Sequence, residues 1–423
     1  MPDGASTAHL FRPKLVTVFG EGYDLRTFRS DLVAGLTVAI VALPLSMAIA
    51  VASGVSPDRG LYAAIVGGLL VSALGGSRVQ VGGPAGAFII LVSTTVARFG
   101  LDGLLLSVFL SGLVLTIVGL SRLGSLIRLI PQAVTVGFIL SIAVTIMMSQ
   151  IKDLFGLTLP SEEQGSFLAR LQLLFVALST FNPTASLLGV GSASLIFFLR
   201  WWRPLWPGML MAVVLASALA FGFHLPVATI GARFGELPHG LPMPRVPAHS
   251  SVLLLNVLPT VLSFTLLGGV ESLLSARIAD GMTGRKHRSN MELVAQGIAN
   301  MASALFGGIC VTGTIARTAT NIRAGAKSPL AGMMHAGFLL VFLLFASPLA
   351  SFVPLSALAG ILVVVAWNMA EWKEVFLLLG NWRGGAVLVS TFLSTLSADL
   401  TVGIAIGCLV AVVTGTIARV RRA

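Results

Sequence analysis

Apolar residues run through this chain in long blocks rather than along one face of a helix or in strand-like alternation. Blocks reaching the ~20 residues that span about 30 Å of hydrocarbon fall at 31–52, 58–75, 101–120, 126–149, 183–201 and 205–223 in the first half of the chain. In the second half they fall at 252–276, 329–350, 355–370, 385–399 and 401–418. Shorter apolar pieces lie at 85–98, 293–306 and 314–326. At about 1.5 Å per residue the piece at 85–98 is too short to cross and predicts a partial helix. Each half then holds seven segments, about fourteen in all. The pattern predicts an all-α polytopic membrane protein.

The two halves echo one another. Ser72-Ala73-Leu74-Gly75-Gly76 precedes Val79-Gln80-Val81-Gly82-Gly83-Pro84-Ala85, and Ser303-Ala304-Leu305-Phe306-Gly307-Gly308 precedes Cys310-Val311-Thr312-Gly313-Thr314-Ile315. Each echo sits before the shortened third helix of its half. An odd number of spans per half inverts the second copy, giving a 7+7 inverted repeat. Val79-Gln80-Val81 and Ile309-Cys310-Val311 read as short extended stretches leading into half-helices 3 and 10, with Gly82, Gly83 and Gly313 as joints. Backbone outside a helix is tolerated at membrane depth only where protein buries it or a cavity solvates it, so a central binding site is predicted there. The plainer reading is that these glycines only permit close helix packing.

Composition agrees: 56% of the residues are hydrophobic and 10% charged, with a mean hydropathy of +0.96, too little charge to cover a water-soluble globule. The formal charge of +11 reads as membrane topology rather than nucleic-acid binding. With a cytoplasmic N-terminus, about 20 Lys and Arg fall on inner segments and about six on outer ones. The inner loops are Arg122 to Arg128, Arg200 to Arg203, Arg277 to Arg288 and Arg323 to Lys327. Glu162, Glu163 and the Pro-rich loop from Leu225 to Ser250 face outward, and both termini end inside. The predicted organisation is an irregular cytoplasmic segment 1–30, a first repeat 31–223, an extracytoplasmic loop 224–251, a second repeat 252–418 and a tail 419–423. Met1 to Ser30 carries no cleavable signal pattern. Cys310 and Cys408 have neither disulfide nor metal-ligand spacing.

A helix that starts inside the bilayer offers unpaired N–H groups and the positive end of its dipole, which favour an anion. Pro84 suits the first turn of such a helix. Ala85, Gly86 and Ala87 leave its amides approachable, and Phe88 supplies an apolar wall. Thr314, Ile315, Ala316, Arg317 and Thr318 occupy the matching turn of the second copy. An arginine at membrane depth costs at least about 2.5 kcal/mol on insertion scales, which points to attraction of a negative substrate; pairing with an acid or snorkelling to the interface is the alternative. Glu271, in Gly268-Gly269-Val270-Glu271-Ser272, is the other deep charge. Three roles stand open for it: carrying a coupling proton, forming an oxygen-lined cation site with Ser275 and Thr314, or holding nearby loops. Asp31, Asp280 and Asp399 are expected to cap or sit at interfaces, and His335 to be a satisfied packing residue.

The chain resembles the sulfate permease (SulP) family of anion transporters along nearly its whole length. The likeness rests on Ala42-Leu43-Pro44, Pro57-Asp58-Arg59-Gly60-Leu61-Tyr62, Gly75-Gly76-Ser77-Arg78 and Gly82-Gly83-Pro84-Ala85. It rests above all on the run from Glu271 to Asn321, with Ala279-Asp280-Gly281-Met282-Thr283-Gly284, Asn290, Glu292-Leu293, Gln296-Gly297, Gly307-Gly308 and Ala316-Arg317-Thr318-Ala319-Thr320-Asn321 at the spacing bacterial members show. The resemblance implies a substrate-carrying core of helices one to four and eight to eleven, a gate of the remaining helices, alternating access, and usually a homodimer in a bacterial inner membrane. It implies transport of sulfate, bicarbonate, chloride, oxalate or dicarboxylates, by exchange or by symport with H+ or Na+, without an organic cofactor. Anion contacts are implied at Ala85 to Phe88, at Ala316, Arg317 and Thr318, and near Glu271, with Pro44 as a backbone joint. Three departures stand out: Leu45 where members commonly have Gln, Ala316 where many have Ser, and an end at Arg421-Arg422-Ala423 where a STAS domain usually follows. A nucleobase carrier of similar architecture would tend to place an acid where Arg317 stands; an anion channel is a further alternative. No nucleotide-binding, metalloprotease or hydrolase motif suggests an enzyme.

Overall fold

The computed structural model describes residues 11–124, 131–159, 167–203, 206–248, 250–397 and 400–420. Arg128, Glu162, Glu163, Asp399 and Arg421 to Ala423 lie outside the described residues. From Lys14 onward the segment read as irregular is largely helical. Helix α1 (Lys14–Glu21) is followed by α2 (Leu25–Ala52), and Asp24 caps α2 by accepting the Thr27 amide at 2.8 Å. That cap starts the helix well before the apolar window at 31.

The second span is one continuous rod of α3 (Pro57–Tyr62), a π-helical turn (Ala63–Gly67) and α4 (Gly68–Leu74). Then come β1 (Gly82–Gly83), a 3-10 turn (Gly86–Phe88) and α5 (Ile89–Leu120). Helix α5 is two helices joined at Gly100, whose φ of 67° and ψ of −171° break the helical path. The apolar piece at 85–98 thus ends at this break, before the second segment begins. The first repeat closes with α6 (Gln132–Phe155), α7 (Phe167–Ala177), α8 (Pro183–Trp202) and α9 (Gly208–Gly222).

A short α10 (Ile230–Phe234) lies in the connecting loop. The second repeat holds α11 (Ser251–Thr283), α12 (Ser289–Leu305), β2 (Thr312–Gly313), α13 (Ile315–Arg323), α14 (Leu330–Phe345), α15 (Leu355–Met369), α16 (Trp372–Leu379), α17 (Trp382–Ser397) and α18 (Leu400–Val420). Helix α11 outruns its apolar window, ending where Gly284 adopts φ 68° and its amide bonds the Asp280 carbonyl at 2.8 Å. Arg277 and Asp280 are therefore helical rather than loop residues. Helices α7 and α16 had no spanning pattern to predict them; both are too short to cross.

Packing follows the inverted repeat. Helix α2 packs on α14 while α11 packs on the second segment of α5, and α4 packs on α14 while α12 packs on α5. These helices, with α3 and α13, form one body; α6, α8, α9, α15, α17 and α18 form the other. Inside the first body Gly112 and Gly297 let α5 and α12 cross closely: a Cβ on Gly112 would lie 2.5 Å from the Gly297 carbonyl oxygen. The basic clusters gather at one end of this body. There the Lys14 amide bonds the Gly75 carbonyl at 2.9 Å and the Arg288 amide bonds that of Gly76 at 3.0 Å. Asp31 accepts the Lys327 and Ser328 amides at 2.7 and 3.1 Å, so its expected capping role holds for the loop before α14.

Candidate functional site

The site is built from two extended strands that end the long apolar helices early. β1 and β2 pair antiparallel, Gly82 opposite Gly313 and Gly83 opposite Thr312, and the Thr314 amide continues the ladder to the Val81 carbonyl at 3.1 Å. The extended stretches were expected at 79–81 and 309–311; the paired residues lie a little later in each, and the pairing of one repeat with the other was not foreseen. Deep strands must satisfy their backbone without water, and polar side chains do so here. Asn300 bonds both the amide and the carbonyl of Val311 at 2.8 Å, and Gln296 also donates to that carbonyl. Asn321 donates to the Val79 carbonyl at 2.9 Å. Gln80 Nε2 reaches both the carbonyl and the hydroxyl of Ser272 at 3.1 Å.

From this pair the chain leaves in two opposite directions. Past Pro84, Ala85 adopts extended φ and ψ as the N-cap and the 3-10 turn begins at Gly86; Pro84 therefore precedes the helix instead of sitting in its first turn. Phe88 is 2% exposed and stacks on Phe264 of α11 with ring centroids 5.9 Å apart. A Cβ on Gly86 would meet Met369 Sδ at 3.3 Å and Ile146 Cδ1 at 3.5 Å, so this tip abuts α15 and α6 of the second body. On the other side Thr314 is the N-cap of α13 without making a side-chain cap bond, leaving its hydroxyl oxygen buried and unpartnered. Ile315 is half-buried and Ala316 exposed, so the first-turn amides of α13 are approachable.

Arg317 is 1% exposed. Its Nη2 donates to Ser46 Oγ at 2.9 Å, while Nε and Nη1 have no hydrogen-bond partner. Among the described residues it forms no salt bridge closer than 4.0 Å, and at 1% exposure it does not snorkel to the interface. A Cβ on Gly83 would fall 1.7 Å from Nη1, so the guanidinium lies against the β1 backbone. Glu271 has an equally unpartnered, shielded Oε2 and lies within electrostatic range of Arg317. A buried polar group without a partner costs about 1–3 kcal/mol, more when charged; four such atoms, from Glu271, Thr314 and Arg317, gather here with hydrogen-bonding capacity unused by the protein.

The remaining expectations sort themselves around this point. Ser275 bonds Thr318 Oγ1 at 3.3 Å, and that oxygen also accepts the Val81 amide at 3.2 Å. The Thr318 hydroxyl thus joins α11, α13 and the strand rather than standing free. Pro44 is buried within α2, which runs on unbroken past it. His335 packs as foreseen but is not satisfied: both ring nitrogens lack partners. Ser46, Gln80, Gln296, Asn300 and Asn321 were not singled out as site residues. A polar side chain two residues after a buried proline, or within a spanning helix beside an extended stretch, was the available signal.

Two inverted bundles of seven spans, joined by paired strands that lead into half-helices beside a buried arginine, define a multi-pass membrane protein. The comparisons place it more closely: residues 28–391 match the sulfate permease family, and the chain belongs to that family. It is 43% identical over 395 residues to the putative sulfate transporter YvdB of Bacillus subtilis, covering 93% of this chain and 74% of that one. It is 31% identical to the bicarbonate transporter BicA of Picosynechococcus, covering 91% and 70%. The solved transmembrane domain of a cyanobacterium bicarbonate transporter BicA superposes with a TM-score of 0.79 at 28% identity, over 92% of this chain and 98% of that chain. The murine Solute Carrier 26 family member A9 anion transporter, solved in the inward-facing state, shares the fold with a TM-score of 0.87 at 19% identity, over 98% and 73%. The relatives are named as transporters, not enzymes.

Proposed function

We propose that the protein is a secondary active transporter that moves a small oxyanion, of the sulfate or bicarbonate class, by alternating access. The buried guanidinium of Arg317, with two nitrogens unpartnered and no acid paired to it, carries this reading. An anion held by Arg317, by the amides of Ala85 to Ala87 and by those of Ile315 to Arg317 gains charge-assisted hydrogen bonds, while the Phe88 and Thr318 amides stay bonded to the Ala85 and Thr314 carbonyls. Phe88 closes the apolar side. Glu271 Oε2 and Thr314 Oγ1, with the lone pairs of Ser275, take the coupling H+ or Na+, which offsets the charge of the bound anion. The body containing α2 to α5 and α11 to α14 shifts against the other, within a homodimer in the cytoplasmic membrane. The basic end faces the cytoplasm, as the excess of Lys and Arg there favours.

Purified protein in liposomes, loaded for counterflow with labelled sulfate, bicarbonate, chloride and fumarate under imposed proton or sodium gradients, tests this. Arg317→Ala abolishes specific flux while the protein stays folded; undiminished flux in that variant overturns the assignment. Glu271→Gln retains exchange and loses gradient-driven accumulation. Accumulation equal to the parent's removes Glu271 from coupling. Rapid ohmic current in place of saturable exchange would show a channel.

A further inference from the structure

A separate cavity of about 150 Å³ opens at the basic end of the first body. Its charged lining is Arg78, Asp280, Arg285, Lys286, His287 and Lys327, drawn from the loop before β1, the end of α11 and the loop after α13. The lone acid is already engaged: Asp280 Oδ2 accepts the His287 amide at 3.1 Å and lies 2.6 Å from His287 Nδ1. Arg78 pairs with Glu21 of α1. Arg285, Lys286 and Lys327 have no ion-pair partner among the described residues. The surroundings add more positive charge: burial, then the Arg288 and Arg78 guanidinium groups, hold Lys14 below the usual lysine range.

We propose that this cavity binds a phosphate group, presented by inorganic phosphate or by an acidic phospholipid headgroup. The volume suits a tetrahedral oxyanion and a few waters, since a water occupies ~30 Å³ of liquid, and converging Arg and Lys donors are the chemistry that recognises a dianionic oxyanion. Its position at the end of spanning helices, beside a basic face, is also where a headgroup lies. The ligand ties residues 77–79, which lead into β1, to residues 326–327, which follow α13. It therefore braces the two half-helices of opposite repeats from outside the central site. This inference does not rest on the transport reading.

The test uses the full chain with two probes: inorganic phosphate titrated calorimetrically into protein in phosphate-free, lipid-free detergent, and nanodiscs of phosphatidylcholine with or without phosphatidic acid, scored by lipid retention in native mass spectrometry. The triple variant Arg285→Gln, Lys286→Gln, Lys327→Gln weakens binding about tenfold or more, as expected for the loss of charged hydrogen bonds. Arg317→Ala leaves it unchanged, which separates this cavity from the central site. Binding of free phosphate identifies a soluble ligand; retention of phosphatidic acid alone identifies a headgroup. Should the triple variant fail to fold, Lys286→Gln alone still weakens binding and Lys286→Arg restores it. Equal binding by parent and variant, or no binding of either probe, overturns the proposal.

Discussion

Ser46 holds the one hydrogen bond that the Arg317 side chain makes among the described residues. Ser46→Ala should therefore cost about 1.5–3 kcal/mol of positioning, the range for hydrogen bonds to charged groups, and raise the apparent KM for the anion about tenfold with maximal flux less affected. Initial-rate uptake in proteoliposomes measures the split. Gly83 carries the converse constraint, because any Cβ there collides with the guanidinium. Gly83→Ala should displace Arg317, destabilise the protein by about 1–3 kcal/mol through overpacking, and abolish uptake. A thermal melt beside a flux assay reads both effects. The arginine itself was legible in the sequence as a charge with no place in an apolar block. Its serine partner was not, since the two lie far apart in the chain and only the packing of α13 on α2 joins them.

At the scale of elements, the deep strands depend on helix α12 to satisfy them. Asn300→Ala leaves the Val311 amide without its side-chain partner, at about 1–3 kcal/mol for an unsatisfied group, while Gln296 still donates to the carbonyl. The expected result is a lowered midpoint in detergent melts and faster exchange of the amides around Val311, with the β1–β2 pairing loosened first. The shortness of half-helices 3 and 10 could be read from apolar run length, and their glycines from the joints they form. The pairing register could not. It arises between segments with short, Gly-rich patterns, where local signals for a partner are weak. Helix ends deviated for local reasons as well: the Asp24 cap starts α2 early and left-handed Gly284 ends α11 late, so polar turns were drawn into helices that hydropathy alone cut short.

Across the whole molecule, one body rests on the other where α2 packs on α15 and α9 and at the tip at Gly86, against Met369 and Ile146. Gly86→Leu should wedge the two apart, shifting the population away from the packed arrangement. Flux falls at least about tenfold, and the overpacking lowers the melt by the equivalent of about 1–3 kcal/mol. A cysteine introduced at Ala316, labelled with maleimide in both backgrounds, reports the shift as altered accessibility; identical labelling and flux would show that the bodies do not close at this tip. Residue order along the chain was enough to establish that this is a polytopic, twice-repeated membrane protein with a charge held deep, because apolar run length and the odd count of spans per repeat are local or additive properties. Which strand residues pair, which hydroxyl holds the guanidinium, and which polar atoms are left over for a ligand were decided only by the fold. Each of those depends on groups hundreds of residues apart being pressed together where no water can substitute for the partner that is missing.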